Sequence, residues 1–365
     1  MEYSEVMALT EALAVIPAPC GGEGARADFC RRWLESNGVP AEIDGAGNVI
    51  AELGCREEGA RTLLFLAHTD IVFPASEPLV LRREGEKWFC PGIWDDTVHV
   101  AFLLLCAKWM AGQVIPNGLR VVFAADTGEE GEGNLRGCRA LMERYGSSLR
   151  EVIAFDSSQH TVNTGAVGSS RYRVTVETKG GHSFRDFGEE NAIALLASLV
   201  TRLDGQPLPE QGVTTYNFGQ IEGGRTVNSI PQRASMLYEY RADRMANLTF
   251  MKRNFEQATA ELRGRIRGAL TVEPLGERPC TGELDENAQE ALIRRVDAAF
   301  QAAGLPSPAR TLGSTDCNLP LSMGIPAVCI GLANGGGAHT TSEYLLPESI
   351  PAGIKVIEHL LRSYL

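Results

Sequence analysis

Four short runs of this sequence are apolar at nearly every position: residues 62–67, 119–125, 152–155 and Ala327–Ile330. A strand with one wet face alternates apolar and polar side chains, so unbroken runs point to strands buried on both faces. Such strands build a parallel sheet covered by helices, and helical spacing appears between the runs at 98–110 and 135–145. The start of the chain adds helices at 3–16 and 25–37. A glycine-rich turn, Asp44-Gly-Ala-Gly-Asn48, then leads into a short strand at 49–53. The expected fold is an α/β domain with a mostly parallel sheet covered by helices.

From about Ser169 the pattern changes. Residues 171–178 alternate like a half-buried strand, 191–203 read as a helix, and 213–221 and 232–241 read as strands. A helix at 248–267 and a last strand at 270–274 complete the series. This β-α-β-β-α-β order is that of a ferredoxin-like α+β unit. The α/β pattern resumes with a helix at 286–303, which Asp285 is placed to cap. The expected organisation is one domain of residues 1–168 and 276–365 interrupted by an inserted domain of 169–275. A chain of 365 residues suits about two domains.

Charge narrows the partners. Lys and Arg number 34 against 46 Asp and Glu, a net charge of −12, and no basic run is present. Phosphate backbones are bound by clustered Lys and Arg, so no nucleic-acid partner is expected. The longest apolar stretch, 98–112, is interrupted by His99 and Lys108 and is too short to span a bilayer, so no membrane partner is expected. The first residues, MEYSEVMALTEALAVIP, are acidic and lack the basic start of a secretory signal. Nine cysteines with no CxxC pair argue against a disulfide framework and for a reducing compartment. A soluble, cytoplasmic protein is expected.

Strands buried along their length expose their C-terminal ends, where α/β enzymes place their chemistry. Here those ends carry acids and histidines. Residues 62–67 run into His68-Thr69-Asp70, 119–125 into Asp126-Thr-Gly-Glu129-Glu130, and 152–155 into Asp156. Ala327–Ile330 is followed by a glycine-rich loop reaching His339 and Glu343, and Asp95-Asp96 precedes the apolar helix at 98–110. One such acid is an ordinary solvated cap, but five sites have to be weighed together. Adjacent Glu129 and Glu130 repel each other unless a positive charge stands beside them, and a metal ion is the economical answer. Histidine and carboxylate donors without cysteine suit zinc, manganese or cobalt and do not choose among them.

The order His68-x-Asp70, Asp95, Glu129-Glu130, Asp156 and late His339 resembles the co-catalytic zinc exopeptidase family. That family includes peptidase T, carnosinase-type dipeptidases, glutamate carboxypeptidase, acetylornithine deacetylase and aminoacylase. Further segments carry the likeness along the chain: Ile16-Pro-Ala-Pro19 with Glu23, Gly47-Asn48-Val49, and His68-Thr-Asp-Ile-Val-Phe-Pro74. Beyond them come Gly180-Gly-His182-Ser183 with Asn191-Ala-Ile193, Asn228-Ser-Ile-Pro231, Gly313-Ser-Thr-Asp316 and Ala338-His-Thr-Thr-Ser-Glu343. The resemblance implies two divalent metal ions, zinc first among the candidates. His68 and Asp156 would hold one, Glu130 and His339 the other, and Asp95 would bridge them. It implies that Asp70 accepts a hydrogen bond from His68 and fixes its tautomer. Glu129 would be the general base, taking a proton from the metal-bridging water and passing it to the leaving amine. The inserted domain would act as a lid and dimerisation domain. From it His182 would reach a neighbouring subunit's active site in a homodimer and steady the oxyanion, while Asn228 and Arg241 would grip a substrate carbonyl or carboxylate.

The implied activity is a metal-dependent exopeptidase acting on small peptides. An N-acyl-amino-acid deacylase with the same site is the nearest alternative, and a silent scaffold that kept the fold is an alternative of another class. The run from Asp126 to Gly137, with Gly-Gly-His-Ser-Phe and Phe187-Gly188 downstream, looks more like the peptidase T side. One segment departs: the family usually follows the bridging Asp with Asp-Lys-Gly, whereas Trp94-Asp95-Asp96-Thr97-Val98 has neither Lys nor Gly. Outside the constellation, His99 is read as packed or solvent-facing, His160, His359 and Glu132 as surface residues, and Asp96 as a supporting group or a helix-start acid. Glu343 is expected either to orient His339 or to begin a helix.

Overall fold

An eight-stranded sheet organises Met1–Ala166 and Gly282–Leu365, one of two units in the computed structural model, which describes residues 1–365. Across the sheet the order is Glu42–Ile43, Val49–Gly54, Leu119–Asp126, Arg61–His68, Leu149–Phe155, Ala327–Ile330, Thr161–Ala166 and Ala309–Gly313. Arg61–His68 runs parallel to both its neighbours, and Leu149–Phe155 runs parallel to Ala327–Ile330. Val49–Gly54 is antiparallel, as is the pairing of Ala327–Ile330 with Thr161–Ala166. The sheet is therefore mostly parallel at its centre.

Its central strands show why the sequence runs are unbroken. Leu63, Phe65 and Ala67 enter one hydrophobic core together with Val121, Phe123 and Ala125. Leu64 and Leu66 enter a second core with Val122 and Ala124. Successive side chains of a strand point to opposite faces, so both sets must be apolar when both faces are covered. On the first face Phe65 stacks on Phe123 with ring centroids 5.0 Å apart. The helix Val98–Ala111 is buried on nearly every side within that core, which explains its lack of a polar stripe. The helix Glu286–Ala302 starts where Asp285 accepts from the amides of Asn287 and Ala288.

Several elements were not read from the sequence. Thr161–Ala166 and Ala309–Gly313 are short strands of mixed polar and apolar residues paired to each other. A small sheet joins Asn334–Gly336, Tyr344–Leu346, Lys87–Phe89 and Arg82–Glu84. The closing helix Ile350–Arg362 buries Ile350, Ile354, Ile357 and Leu361, a clear helical spacing.

The second unit, Val167–Thr281, is a four-stranded antiparallel sheet with two helices. Its strands in spatial order are Thr214–Gly223, Arg233–Ala242, Gly168–Glu177 and Ala269–Arg278. The first strand of the unit thus lies between the third and the fourth, which is the ferredoxin-like order. One face packs Val174, Val176, Met236, Tyr238 and Tyr240 against the helices Ala192–Asp204 and Met245–Arg263. The other face is polar and paired across strands: Arg171 to Glu239 at 3.3 Å and Arg173 to Glu273 at 3.1 Å. The last strand continues to Arg278, beyond the Pro274 suggested by alternation, and the preceding helix ends at Arg263.

Candidate metal centre

Parallel strands put their C-terminal ends on one edge of the sheet, and five segments converge there. His68 ends its strand, Glu129 and Glu130 follow Leu119–Asp126, and Asp156 follows Leu149–Phe155. Asp95 arrives on the turn Ile93–Thr97, and His339 on the loop between Asn334–Gly336 and Tyr344–Leu346. The donor atoms gather in overlapping groups, each with its atoms within 4.8 Å of one another: His68, Asp95 and Asp156; Asp95, Glu130 and His339; His68, Glu129 and Glu130. Asp95 is common to the first two. Its Oδ1 lies 3.1 Å from His68 Nε2 and its Oδ2 lies 3.2 Å from His339 Nε2. His339 Nε2 is also 2.9 Å from Glu130 Oε1.

The charges are unbalanced. Burial, reinforced by Asp95, pushes the Asp156 carboxyl up to about 8. Burial also lifts Asp126, behind the site, to about 7. Hydrogen bonds to Asp95 and Glu130 raise His339 to about 10. Burial works against charge on Asp95, yet the hydrogen bonds from His339 and His68 hold its carboxyl below the ordinary range. A pocket of carboxylates that forces its histidines to take up protons is one that a cation suits. The donor chemistry fits as well, because His68 Nδ1 lies 3.1 Å from the Asp70 carbonyl oxygen and donates to it, which fixes the ring with Nε2, the nitrogen that a cation would take in place of a proton, toward Asp95. A further group, Cys20, Glu23 and Asp70, does not fit a cation: burial raises the Cys20 thiol to about 11, and Asp70 is already engaged.

That engagement alters the part expected of Asp70. The bond from His68 is made by the main-chain oxygen, while the nearer carboxylate oxygen is 3.7 Å from Nδ1. The carboxylate instead accepts from the amides of Glu129, at 3.1 Å, and Glu130, at 2.8 Å. Asp70 thus orients the segment carrying the adjacent glutamates. Asp96, fully buried, accepts from the His68 amide at 3.0 Å and lies 2.6 Å from His99 Nδ1. His99 is packed, and burial holds it down at about 3; its Nε2 accepts from the Leu332 amide. His160, His359 and Glu132 are exposed.

One supporting residue escaped the sequence reading, and another takes a different part from the one expected. Arg26, fully buried, donates to the carbonyls of Thr69 and Ile16 and to Thr97 Oγ1, tying three segments below the site. Thr97, which stands where the family usually has Lys, is one of those acceptors. Arg26 lies seven residues before Trp33 on the same helix face, which is the signal that could have found it. Glu343 does not start a helix, and its carboxylate does not bond the His339 ring. Its carboxylate, 1% exposed, accepts from the amides of Gly92, Trp94 and Asp95. Gly92 sits at φ +73°, where an added Cβ would meet Ile71 at 2.3 Å, so the turn before Asp95 needs glycine.

The residues singled out in the inserted unit fall into two places. The first strand of the unit stops at Glu177, so His182 does not end it. Gly180, at φ +65°, turns the chain, and Gly181–His182 pairs with Ser229–Ile230 as a separate short ladder. Asn228 is next to that ladder, its carbonyl accepting from the Ser183 amide. The His182 amide donates to Asp186 Oδ2 at 2.7 Å, and His182 Nδ1 accepts from the Phe184 and Arg185 amides. An accepting Nδ1 places the ring proton on Nε2, so His182 presents a hydrogen-bond donor outward. Arg241 stands at the far end of Arg233–Ala242, bound to Glu239. Ten residues of strand span about 30 Å, so Arg241 and Asn228 do not share one grip on a substrate within the unit.

A cavity of about 250 Å³ adjoins the acid cluster, lined by Trp94, Asp95, Asp156, Asn163, Ser314 and Thr315 among others. Residues 64–363 match the family model described as peptidase family M20/M25/M40. Among similar proteins, acetylornithine deacetylase of Myxococcus xanthus is 25% identical over 358 residues, covering 88% of this chain and 87% of its own. Among solved structures, aminopeptidase PepT of Bacillus cereus ATCC 10987 superposes with a TM-score of 0.73 at 21% identity, covering 100% of this chain and 99% of that one. The YXEP protein of Bacillus subtilis, titled a dinuclear metal binding peptidase, gives a TM-score of 0.68 at 16% identity over 98% and 97% of the two chains.

Proposed function

The chain belongs to peptidase family M20/M25/M40, a family of hydrolytic enzymes, and on that premise we propose that it is a two-metal exopeptidase of small peptides. The observation that carries this reading is the pair of donor groups sharing Asp95, set at the ends of parallel strands beside a cavity. His68 and Asp156 would hold one ion and Glu130 and His339 the other, with Asp95 available to both. Two divalent ions in such a site lower the pKa of water and polarise the scissile carbonyl, with zinc the first candidate and manganese or cobalt also suited.

The protein's own groups do the rest. Glu129 takes a proton from the attacking water and hands it to the leaving amine. Asp70 holds the Glu129 amide and so aims that base. His182 donates from Nε2 to the oxyanion that forms, and does so from a second subunit. The dimer reading is supported by the Thr214–Gly223 strand, an edge with mostly exposed residues, and by Phe184 and Phe187 beside His182, 86% and 89% exposed. The acidic charge and unpaired cysteines support a cytoplasmic setting.

One observation favours an N-acyl-amino-acid deacylase as a second reading. The cavity lining carries no acid besides Asp95 and Asp156, so it offers no further carboxylate to pair with a peptide's free ammonium group. Acetylornithine deacetylase is also among the similar proteins. Turnover of di- and tripeptides against N-acetyl amino acids, with added zinc, manganese or cobalt, decides between them. The exopeptidase reading expects the peptides to be the better substrates, and exclusive cleavage of acyl amino acids would replace it with the second.

A further inference from the structure

We infer that Glu343 is a positioning residue that sets Asp95 and His339 against each other, so that its loss weakens one half of the two-ion centre ahead of the other. The inference rests on the two-ion reading above. The turn that carries Asp95 departs from helical geometry at that residue, with φ −112° and ψ 88°, so it does not hold its own amides as a helix would. One carboxylate takes three of them. Glu343 Oε2 accepts from the Gly92 amide at 2.8 Å, and Oε1 accepts from the amides of Trp94 at 2.8 Å and Asp95 at 2.9 Å. Charge-assisted bonds to a buried carboxylate are short and strong, and removing the acceptor leaves buried donors unmet.

The same short segment carries His339. It is closed on itself by the Thr340 amide to the Gly337 carbonyl at 3.0 Å and the Glu343 amide to the Thr340 carbonyl at 3.1 Å. Pairing of Tyr344 with Phe89, and the Cys90 amide on the Glu343 carbonyl, bring this segment beside residues 90–95. Glu343 then carries the attachment forward to Asp95 itself. The consequence is unequal for the two ions. In the group of Asp95, Glu130 and His339, two of the three donors stand on the segments that Glu343 joins. In the group of His68, Asp95 and Asp156, the other two donors stand at strand ends of the main sheet, which Glu343 does not touch.

Calorimetric titration of the metal-free protein with Zn²⁺, and visible absorption with Co²⁺, test this on Glu343→Gln. Asp156→Ala and His339→Ala serve as references for the two sites. The glutamine keeps the length but turns an NH₂ toward at least one of the three amides. The wild type is expected to take two ions, and Glu343→Gln to lose about 10–100-fold in affinity at one of them, the usual scale for a group supporting a ligand. Its titration and cobalt spectrum should follow His339→Ala rather than Asp156→Ala, and Glu343→Asp, which restores the carboxylate, should recover part of the loss. Two ions bound with unchanged affinity overturn the inference. So does an equal loss at both sites accompanied by a lower melting temperature of the metal-free protein, which is the mark of a purely structural role. If Glu343→Gln fails to fold without metal, Glu343→Asp carries the same test, an uneven loss supporting the inference and unchanged affinity overturning it. A wild type that binds fewer than two ions overturns the two-ion reading itself.

Discussion

The two units bury their sheets differently, and their chemistry follows from that. In the larger unit the central strands are covered on both faces, and the candidate ligands at their ends are mostly sunk with them; His339, with its side chain 57% exposed, is the exception. In the inserted unit one face of the sheet is open and polar, and His182, on a two-residue strand, and Asn228, on the turn beside it, are exposed. Buried carboxylates must find a positive charge where they lie, since desolvation penalises them otherwise. An exposed histidine carries no such demand, and its fixed tautomer is useful only to something that comes to it. The larger unit therefore gathers buried acids that suit an ion, and the smaller one leaves its histidine at the surface.

The comparison can be broken at several points. The largest effect is expected from Glu129→Gln, which should lower kcat by about 10²–10⁴ while metal content stays intact, since the amide cannot accept a proton. Elemental analysis beside the kinetics checks it, and near-native turnover would assign the base elsewhere. Phe65→Ala removes a fully buried ring stacked on Phe123 and tilted against Phe155 and should cost about 3–5 kcal/mol. Hydrogen exchange should show the loss of protection in 1–166 and 282–365, with 167–281 spared; a uniform loss would mean that the two cores are not separate. His182→Ala should lower kcat by about 10²–10³, the scale for one oxyanion donor. Mixing it with Glu129→Gln subunits under exchange conditions should restore activity, and a dead mixture with exchange confirmed would end the shared-site idea. The smallest effect belongs to Asp285→Ala, which strips a helix cap and should cost about 1 kcal/mol in thermal unfolding with kcat unchanged.

What could be read from the sequence follows the same division. Strands covered on both faces write themselves as unbroken apolar runs, so the central sheet was legible, along with the acids and histidine that end its strands. Thr161–Ala166 and Ala309–Gly313 were not, because TVNTGA and ARTLG are short and mix polar with apolar residues, and they gain their place from pairing with each other and, for the first, with Ala327–Ile330. The helix Ile350–Arg362 did carry a readable spacing. Asp70 and Glu343 were placed near the right chemistry, but the bonds that their carboxylates make to main-chain amides were not foreseen. Their carboxylates bind main-chain amides, 59 and 60 residues away for Asp70 and about 250 for Glu343, and an amide leaves no mark in the identity of the residue that owns it. Asn228 and Arg241 lie close in sequence, but an extended strand separates what a turn would have joined.

The central claim is that five side chains of the larger unit hold two ions. An anomalous difference map from a crystal grown with zinc tests it most directly. The account predicts two peaks roughly 3.5–4 Å apart. Asp95 should lie between them, His68 and Asp156 on one and Glu130 and His339 on the other, each at roughly 2 Å. A single peak, or peaks bound by other residues with these five side chains spread away from a common centre, would contradict it.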